Sequence, residues 1–285
     1  NDAGTSNTIF GKSAGDAIAS GGNYNVVIGE NAGGALTTGD TSVAVGFEAL
    51  LTEDTNSENT AIGYQALKTQ NGADGNTAVG MRAGLDLTTG AGNVFVGAET
   101  AQNVVGGTDN VIIGKAAGGA TTDVDKTVII GRSAGAGVMT ADADGTVAIG
   151  YQAGAAMTDP QDTNEVSVFI GYQAGKANTI GSANIALGYQ ALLTNVGSGR
   201  NTAIGYQSLK VSTAGSAADY FNTAVGYKSG VALTSGTHNT FIGGRAGIGT
   251  QLVDKTVIIG AEAGEGVMTA GADGTIAIGY QAGTA

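Results

Sequence analysis

The chain contains no cysteine and no tryptophan, one proline and one histidine. The lack of thiols excludes a disulfide framework and thiolate metal sites, and a single imidazole, His238, cannot supply a histidine cluster. Basic residues are scarce: 12 Lys and Arg against 24 Asp and Glu leave a formal net charge of −12. That balance argues against nucleic acid as a partner, since phosphate binding needs a basic surface, and favours solubility and mutual repulsion. No run of eighteen apolar residues is present to cross a membrane as a helix. Residue 1 is Asn rather than Met, and the expectation is a fragment of a longer fibre chain.

What the chain does have is glycine, 51 residues in 285, with 42% apolar residues. The glycines do not recur every third residue, so collagen is excluded, and the apolar content is too high for simple disorder. The apolar residues are mostly Ala, Val and Ile, which suit thin layers better than a thick globular core.

The fragment Asn59-Thr-Ala-Ile-Gly63-Tyr-Gln-Ala-Leu67 recurs with variations throughout, and internal repeats of this kind decide the fold. Its central glycines are Gly11, Gly29, Gly46, Gly63, Gly80, Gly97, Gly114, Gly131, Gly150, Gly171, Gly188, Gly205, Gly226, Gly243, Gly260 and Gly279. Ten of the fifteen intervals are 17 residues and the rest are 18, 19, 19, 21 and 21. A coil of constant length with occasional insertions predicts an all-β chain: a parallel β-solenoid of about 16 coils of ~17 residues, a single repeat domain over residues 1–285. A longer repeat overlays it. Residues 125–154 and 254–283 agree at 25 of 30 positions, and the stretch from Ser42 resembles that from Asn184, so a block of coils has been duplicated.

The four residues before each glycine read as a short strand. The residue just before the glycine is large and apolar in all sixteen coils, and the third before it is always Thr, Val or Ile. Side chains alternate along a strand, and β-branched residues suit strands, so these two positions are expected to share the inner face. The second residue before the glycine is then expected to point away from the coil's own core. Yet it is apolar too: Ala in eight coils, Ile in four, Phe in three and Val in one. A sheet apolar on both faces is covered on both, and a second chain of the same kind is the simplest cover. On this reading Phe95, Phe169, Phe241, Ile112, Ile129 and Ile258 line a shared interface, and Phe169→Asp or Ile129→Asp would break it. The fourth residue before the glycine, Asn in ten coils, is expected to stack as a ladder as well as to satisfy its own turn. The glycine is expected at positive φ. The small residue three after it, Ala in thirteen coils, is expected in a second strand packed against the first.

The strings Asn-Thr-Ala-Ile-Gly-Tyr-Gln-Ala-Leu (59–67), Thr-Val-Ala-Ile-Gly-Tyr-Gln-Ala-Gly (146–154) and Asn-Thr-Ala-Val-Gly-Tyr-Lys-Ser-Gly (222–230) resemble the head repeat of YadA-like trimeric autotransporter adhesins. They also resemble the repeat of bacteriophage tail fibres and related virion appendages. The adhesin repeat is usually shorter, and the Gly-Tyr-Gln-Ala-Gly string leans toward the phage fibres. This resemblance implies a left-handed β-roll, a homotrimer, and a structural fibre or stalk of a virion appendage that supports host attachment. It further implies a virion or extracellular location, contact with other virion or surface-fibre proteins, and a host receptor engaged by a tip outside this segment. A bacterial surface adhesin is the alternative.

No catalytic, cofactor or metal site is expected, and the chain is not expected to be an enzyme or to bind a membrane. His238 reads as a solvated corner residue. Gly114, Gly118 and Gly119 belong to the repeat, and no Gly-Lys-Ser/Thr follows them, which excludes a phosphate loop. Asp142-Ala-Asp144-Gly145 is acidic, but it lacks the further ligands of an EF-hand, and its duplicate reads Gly271-Ala-Asp273-Gly274. Asp142, Asp144, Asp159, Asp162 and Glu165 read as a charged rim rather than a glycosidase pair. Seven tyrosines that directly follow a repeat glycine (Tyr64, Tyr151, Tyr172, Tyr189, Tyr206, Tyr227 and Tyr280) read as an aromatic column stacked between rungs rather than a sugar-binding stripe. The longest insertions, 155–166 with Pro160 and 210–221, are expected to bulge as mobile loops. An ice-binding solenoid is disfavoured because Thr60, Thr77 and Thr202 give way to Val or Ile in other coils and are assigned to the inner face, while Thr37, Thr38, Thr88 and Thr89 do not recur in every coil.

The repeat predicts a rod. At ~4.8 Å per stacked strand, sixteen coils extend roughly 75–80 Å. Small-angle scattering checks this: a cross-section regime with a long axis is expected, and a compact particle would refute it.

Overall fold

In each coil, three residues before the glycine extend as a strand and the glycine ends it. The structure, a computed structural model, describes residues 4–158, 166–212 and 218–283. It contains two compact units, Asn1–Gly145 and Thr146–Ala285. The first carries eight three-residue strands, among them Val43–Val45, Thr60–Ile62, Thr77–Val79, Val94–Val96 and Val111–Ile113. The second carries eight more, among them Val168–Ile170, Ile185–Leu187, Thr202–Ile204, Thr223–Val225 and Thr240–Ile242. Pairing within each unit is parallel and follows chain order. The register is one coil to the next without slippage, as in Thr60↔Thr77, Ala61↔Ala78 and Ile62↔Val79. The chain is therefore an all-β parallel solenoid, as its periodicity predicts. Both nineteen-residue intervals hold a 3-10 turn, Ala141–Ala143 and Ala270–Ala272, which absorbs the two extra residues.

The assignment of strand faces is the reverse of the expectation. The second residue before the glycine is the one inside the coil: Ala61, Phe95, Ile112, Ile129, Phe169, Ala203, Phe241 and Ile258 are all fully buried within the single chain. The residues on either side of it face outward, with Ile62 at 38%, Leu187 at 42% and Ile242 at 39% exposure. Phe169 and Ile129 thus fill the coil's own core and are not available to a partner. The physical reason lies in the fourth residue before the glycine. Asn59, Asn76, Asn93 and Asn110 are fully buried, and with period-two alternation an inward Asn fixes the second residue before the glycine as inward too.

The asparagines form the expected ladder and also brace each coil. The backbone N–H of Asn76 donates to Oδ1 of Asn59 at 2.9 Å, that of Asn93 to Oδ1 of Asn76 at 2.9 Å, and that of Asn110 to Oδ1 of Asn93 at 3.0 Å. Each Nδ2 donates across the interior to a carbonyl fourteen residues on, Asn59 to Ala73 at 2.9 Å, Asn76 to Gly90 at 2.8 Å and Asn93 to Gly107 at 2.8 Å. The second unit repeats the device: the N–H of Asn201 donates to Oδ1 of Asn184 and that of Asn239 to Oδ1 of Asn222, each at 3.0 Å.

After the glycine comes a corner rather than a second strand. The glycine itself has the expected positive φ, and only glycine fits: a Cβ on Gly63 (φ +139°) would lie 2.4 Å from the carbonyl oxygen of Gly80. Positive φ also recurs two and four residues later at ordinary residues, such as Gln65 (56°) and Leu67 (47°). Left-handed conformations cost an L-residue roughly 1–2 kcal/mol each. They persist because the corner amides are paired rung to rung, as in Gln65 N–H to Phe47 O at 2.9 Å and Leu67 N–H to Ala83 O at 3.0 Å.

Inside, volumes alternate. Where the second residue before the glycine is Ala, the fourth after it is often Leu: Ala44 with Leu50, Ala61 with Leu67, Ala186 with Leu192, Ala203 with Leu209. Where it is Phe, that later position is Ala101, Gly175 or Gly247. Four coils are small at both positions, and in three of them the next coil's ring fills the gap. A Cβ on Gly84 would meet Phe95 Cδ2 at 2.7 Å, one on Gly154 would meet Phe169 Cδ2 at 3.0 Å, and one on Gly230 would meet Phe241 Cδ2 at 2.7 Å. This is close packing achieved with two positions per rung.

The middles of both long insertions, residues 159–165 with Pro160 and 213–217, lie outside the described residues, so the expected bulges are described only at their ends. Met157 is already interior, and Ser212 is buried beside Asn195.

The volume rule gives a test. Gly175→Leu places a side chain where a Cβ alone would stand 2.3 Å from the Phe169 ring, so it is expected to destabilise by about 3 kcal/mol or more. Adding Phe169→Ala recreates the Ala/Leu pairing of neighbouring coils and is expected to restore most of that loss, short of full recovery because Gly154 also packs on the ring. Denaturant unfolding of the two single variants and the double variant measures it. Additive losses would refute the rule.

Candidate interaction surface

Three features lie outside the packed interior, and a fourth is a charge within it. The first is the outer face of the strands. Its rows include Val43, Thr60, Thr77, Val94, Val111 and Val128, and Val45, Ile62, Val79, Val96, Ile113 and Ile130. In the second unit they include Val147, Val168, Ile185, Thr202 and Thr223, and Ile149, Ile170, Leu187, Ile204 and Val225. No charged residue stands in either row. Thr60, Thr77 and Thr202, assigned by sequence to the inner face, are on this outer face.

The second is the aromatic column at the corner. Tyr151, Tyr172, Tyr189, Tyr206 and Tyr227 stack in one run, with ring centroids 5.2, 5.1, 5.0 and 5.3 Å apart and planes within 18°. Tyr280 meets no ring among the described residues, the preceding rung having Ala261 at that corner, while stacking between rungs is as expected for these five. The ring faces are used by one another, and the residues remain 39–51% exposed through their edges. Beside them the side chains of Gln152, Gln173, Gln190 and Gln207 form a second ladder, each Nε2 donating to the preceding Oε1 at 3.0 Å. Among the described residues of the first unit the stacked column is Phe47 on Tyr64, 5.4 Å apart.

The third is the acidic corner. Asp74 Oδ1 accepts from the Ser57 N–H at 2.6 Å, Asp125 from Thr108 at 2.6 Å, Asp144 from Asp125 at 2.7 Å, and Asp273 from Asp254 at 2.9 Å. These carboxylates clip one coil to the next. Asp144 and its duplicate Asp273 both make the clip, which explains why that position is kept while Asp142 becomes Gly271 in the duplicate. Among the described residues no group of three or more His, Cys, Asp or Glu side chains is placed to hold a metal ion. Asp159, Asp162 and Glu165 lie outside the described residues. His238 is an exposed corner residue at φ +59°, tilted against Phe221 with 5.1 Å between centroids. Gly114 and Gly118 take the same corner φ values, +126° and +56°, as their counterparts in other coils.

The interior charge is Glu53, which sequence reasoning did not single out. It is fully buried. Its Oε1 accepts the N–H groups of Asp54 at 3.1 Å and Asn56 at 2.9 Å, and its Oε2 accepts Gln70 Nε2 at 3.1 Å. Burial pushes its pKa above the ordinary carboxylate range, and the nearby charge of Asp74 adds to the rise, while those hydrogen bonds oppose it. The corresponding interior positions in the second unit, Asn195 and Ser212, are neutral and bonded to one another.

No family model, curated protein or solved structure matches the chain.

Glu53 makes stability depend on pH. A carboxyl whose folded pKa is raised binds its proton more tightly when folded. Stability is therefore greatest where both states are protonated, and it falls as pH climbs from the ordinary carboxylate value through the raised one. Glu53→Gln is expected to leave stability near the wild type at pH 4 and to exceed it at pH 8. Thermal unfolding at the two values decides this, and a gap of equal size at both would contradict it.

Proposed function

We propose that this chain is a structural segment of a fibre or stalk, part of a virion appendage such as a phage tail fibre that supports host attachment, and that it works as a parallel homotrimer. The observation that carries the reading is the uncharged, β-branched outer face of the strands. Soluble single chains rarely leave so continuous an apolar strip in water. A partner that covers it rung by rung needs the same ~4.8 Å repeat, and a second copy of this chain running parallel has that repeat by construction. With about 10 Å of width per strand, eight rungs offer on the order of 400 Å². The faces of the two units together then approach the ~800 Å² per partner of a standard interface. The resemblance of the repeat to phage fibres and adhesin heads supplies the number three, the left-handed roll and the extracellular setting. It also supplies the expectation of neighbouring fibre proteins and of a receptor met at a tip beyond the segment.

The interior supports a passive mechanical role. Within each unit successive rungs are bonded through the backbone, and many also through the Asn ladder or an Asp clip. A trimeric surface adhesin is served equally well by this architecture. Ice binding is not, because the outward Thr row is interrupted by Val and Ile at most rungs.

Native mass spectrometry tests the assembly. A trimer is expected, a stable monomer would refute the shared face, and a dimer would keep the face and reject threefold symmetry. Substitutions separate the two strand faces. Ile170→Asp with Ile204→Asp is expected to dissociate the trimer while leaving the circular dichroism of the coil intact. Phe169→Asp is expected to unfold the coil itself by burying an unpaired charge.

A further inference from the structure

The second unit carries an exposed feature that neither the fold nor the fibre role requires, the paired ladders of Tyr and Gln. From the edge ladders at Tyr151–Tyr227 and Gln152–Gln207 we infer a binding surface for a neutral, extended polysaccharide laid along the rungs.

Stacking does not call for the hydroxyls. Phe47 stacks on Tyr64 with 5.4 Å between centroids, so a ring without a hydroxyl serves the column. Yet at the matching rungs of the duplicated block the second unit has Tyr189 where the first has Phe47, and Tyr227 where the first has Met81. The hydroxyls of the five stacked tyrosines make no hydrogen bond to any described residue and stand at the solvent edge of a half-exposed column. Each is free to donate once and to accept. In each Gln of the ladder interior, one N–H and one acceptor site are used on the neighbours, leaving one of each for a ligand. The result is a regular array of donors and acceptors.

Charge and spacing select the ligand. At the same two corner positions the first unit carries Lys12, Glu30, Glu48, Arg82, Glu99, Lys115 and Arg132, whereas the four Tyr-Gln rungs 151–152, 172–173, 189–190 and 206–207 carry no charge. With a net charge of −12, the chain disfavours polyanions, including nucleic acid and acidic glycans. The rungs repeat at 5.0–5.3 Å between ring centroids. Nucleic-acid bases recur at ~3.4 Å per strand and same-face side chains of an extended peptide at ~6.8 Å, so both fall out of step within two or three rungs. The sugar rings of an extended β-linked hexose polymer recur at about the strand spacing of ~5 Å and stay in step. Because the aromatic faces are used within the stack, recognition is by hydroxyl and amide edges, not by sugars lying on rings.

The test uses the full chain, microcrystalline cellulose and chitin as insoluble probes, and cellohexaose and chitohexaose in titration calorimetry. Binding to at least one probe is expected. The triple variant Tyr172→Phe, Tyr189→Phe, Tyr206→Phe keeps the stack and removes three hydroxyls, so affinity should fall at least ~tenfold. Tyr64→Phe in the first unit should leave it unchanged. Failure to bind either probe, or a triple variant that binds as the wild type does, overturns the proposal. The measurement does not depend on the oligomeric state, so this inference and the trimeric fibre can fail separately.

Discussion

The structure depends on one inward-facing side chain per rung. The Asn four residues before ten of the sixteen repeat glycines accepts the next rung's backbone N–H with its Oδ1. Its Nδ2 crosses the coil to a carbonyl on the opposite corner, as Asn110 does to Val124 at 2.6 Å. That side chain settles three things at once. It holds successive coils in register, and it closes each coil into a loop of fixed width. Through the two-residue period of a strand, it also decides which side chains enter the core. Removing it would leave a buried N–H and a buried carbonyl unpaired, at a cost of about 1–3 kcal/mol each, with no room for water to replace it in so thin an interior. Ser takes the position in two rungs and accepts the next rung's N–H with its hydroxyl, Ser42 from Asn59 at 3.3 Å and Ser167 from Asn184 at 3.2 Å, whereas Thr256 and Thr275 turn their hydroxyls to carbonyls of their own coil.

Once the parity is fixed, the interior follows from volume. Two positions per rung trade size, Ala203 with Leu209 in one coil and Phe169 with Gly175 in another, and a ring from one coil fills the space above a glycine in the coil before it. Everything else on the coil is left to vary. This separation explains why a block of coils has been duplicated with its interior intact while its surface diverged. Asp144 and Asp273 are both kept because each clips a backbone N–H. Asp142 and Gly271 differ because neither holds the coil. Lys and Glu of the first unit's corner give way to Tyr and Gln in the second for reasons that lie in the solvent.

The solenoid, its sixteen rungs, the strand before each glycine and the strained glycine itself were legible because each rests on periodicity. The strand faces were not read correctly. Size and β-branching at the first and third residues before the glycine point to those positions as the core, and period-two alternation then sends the Ala, Ile or Phe between them outward. The correct signal was present in the pairing of Ala61 with Leu67 and of Phe241 with Gly247, since positions that compensate in volume share a space. The left-handed residues two after each glycine could not have been read, because Gln65, Arg82 and Glu99 are not residues that announce such a conformation. Glu53 was hidden for a similar reason: a single carboxylate at a position that is Leu36, Leu87 or Val104 in some coils and Gln70, Asn195 or Ser212 in others looks like a surface residue until its neighbours are known.

The inward Asn is tested most directly by exchange of its own side-chain amide protons, followed by NMR in deuterated solvent. The account predicts that the Nδ2 protons of Asn59, Asn76, Asn93 and Asn110 persist as long as the backbone amides of the strands, far outlasting those of exposed Asn71. Exchange of the ladder side chains at the rate of Asn71 would place them in solvent, and with them the opposite strand face in the core.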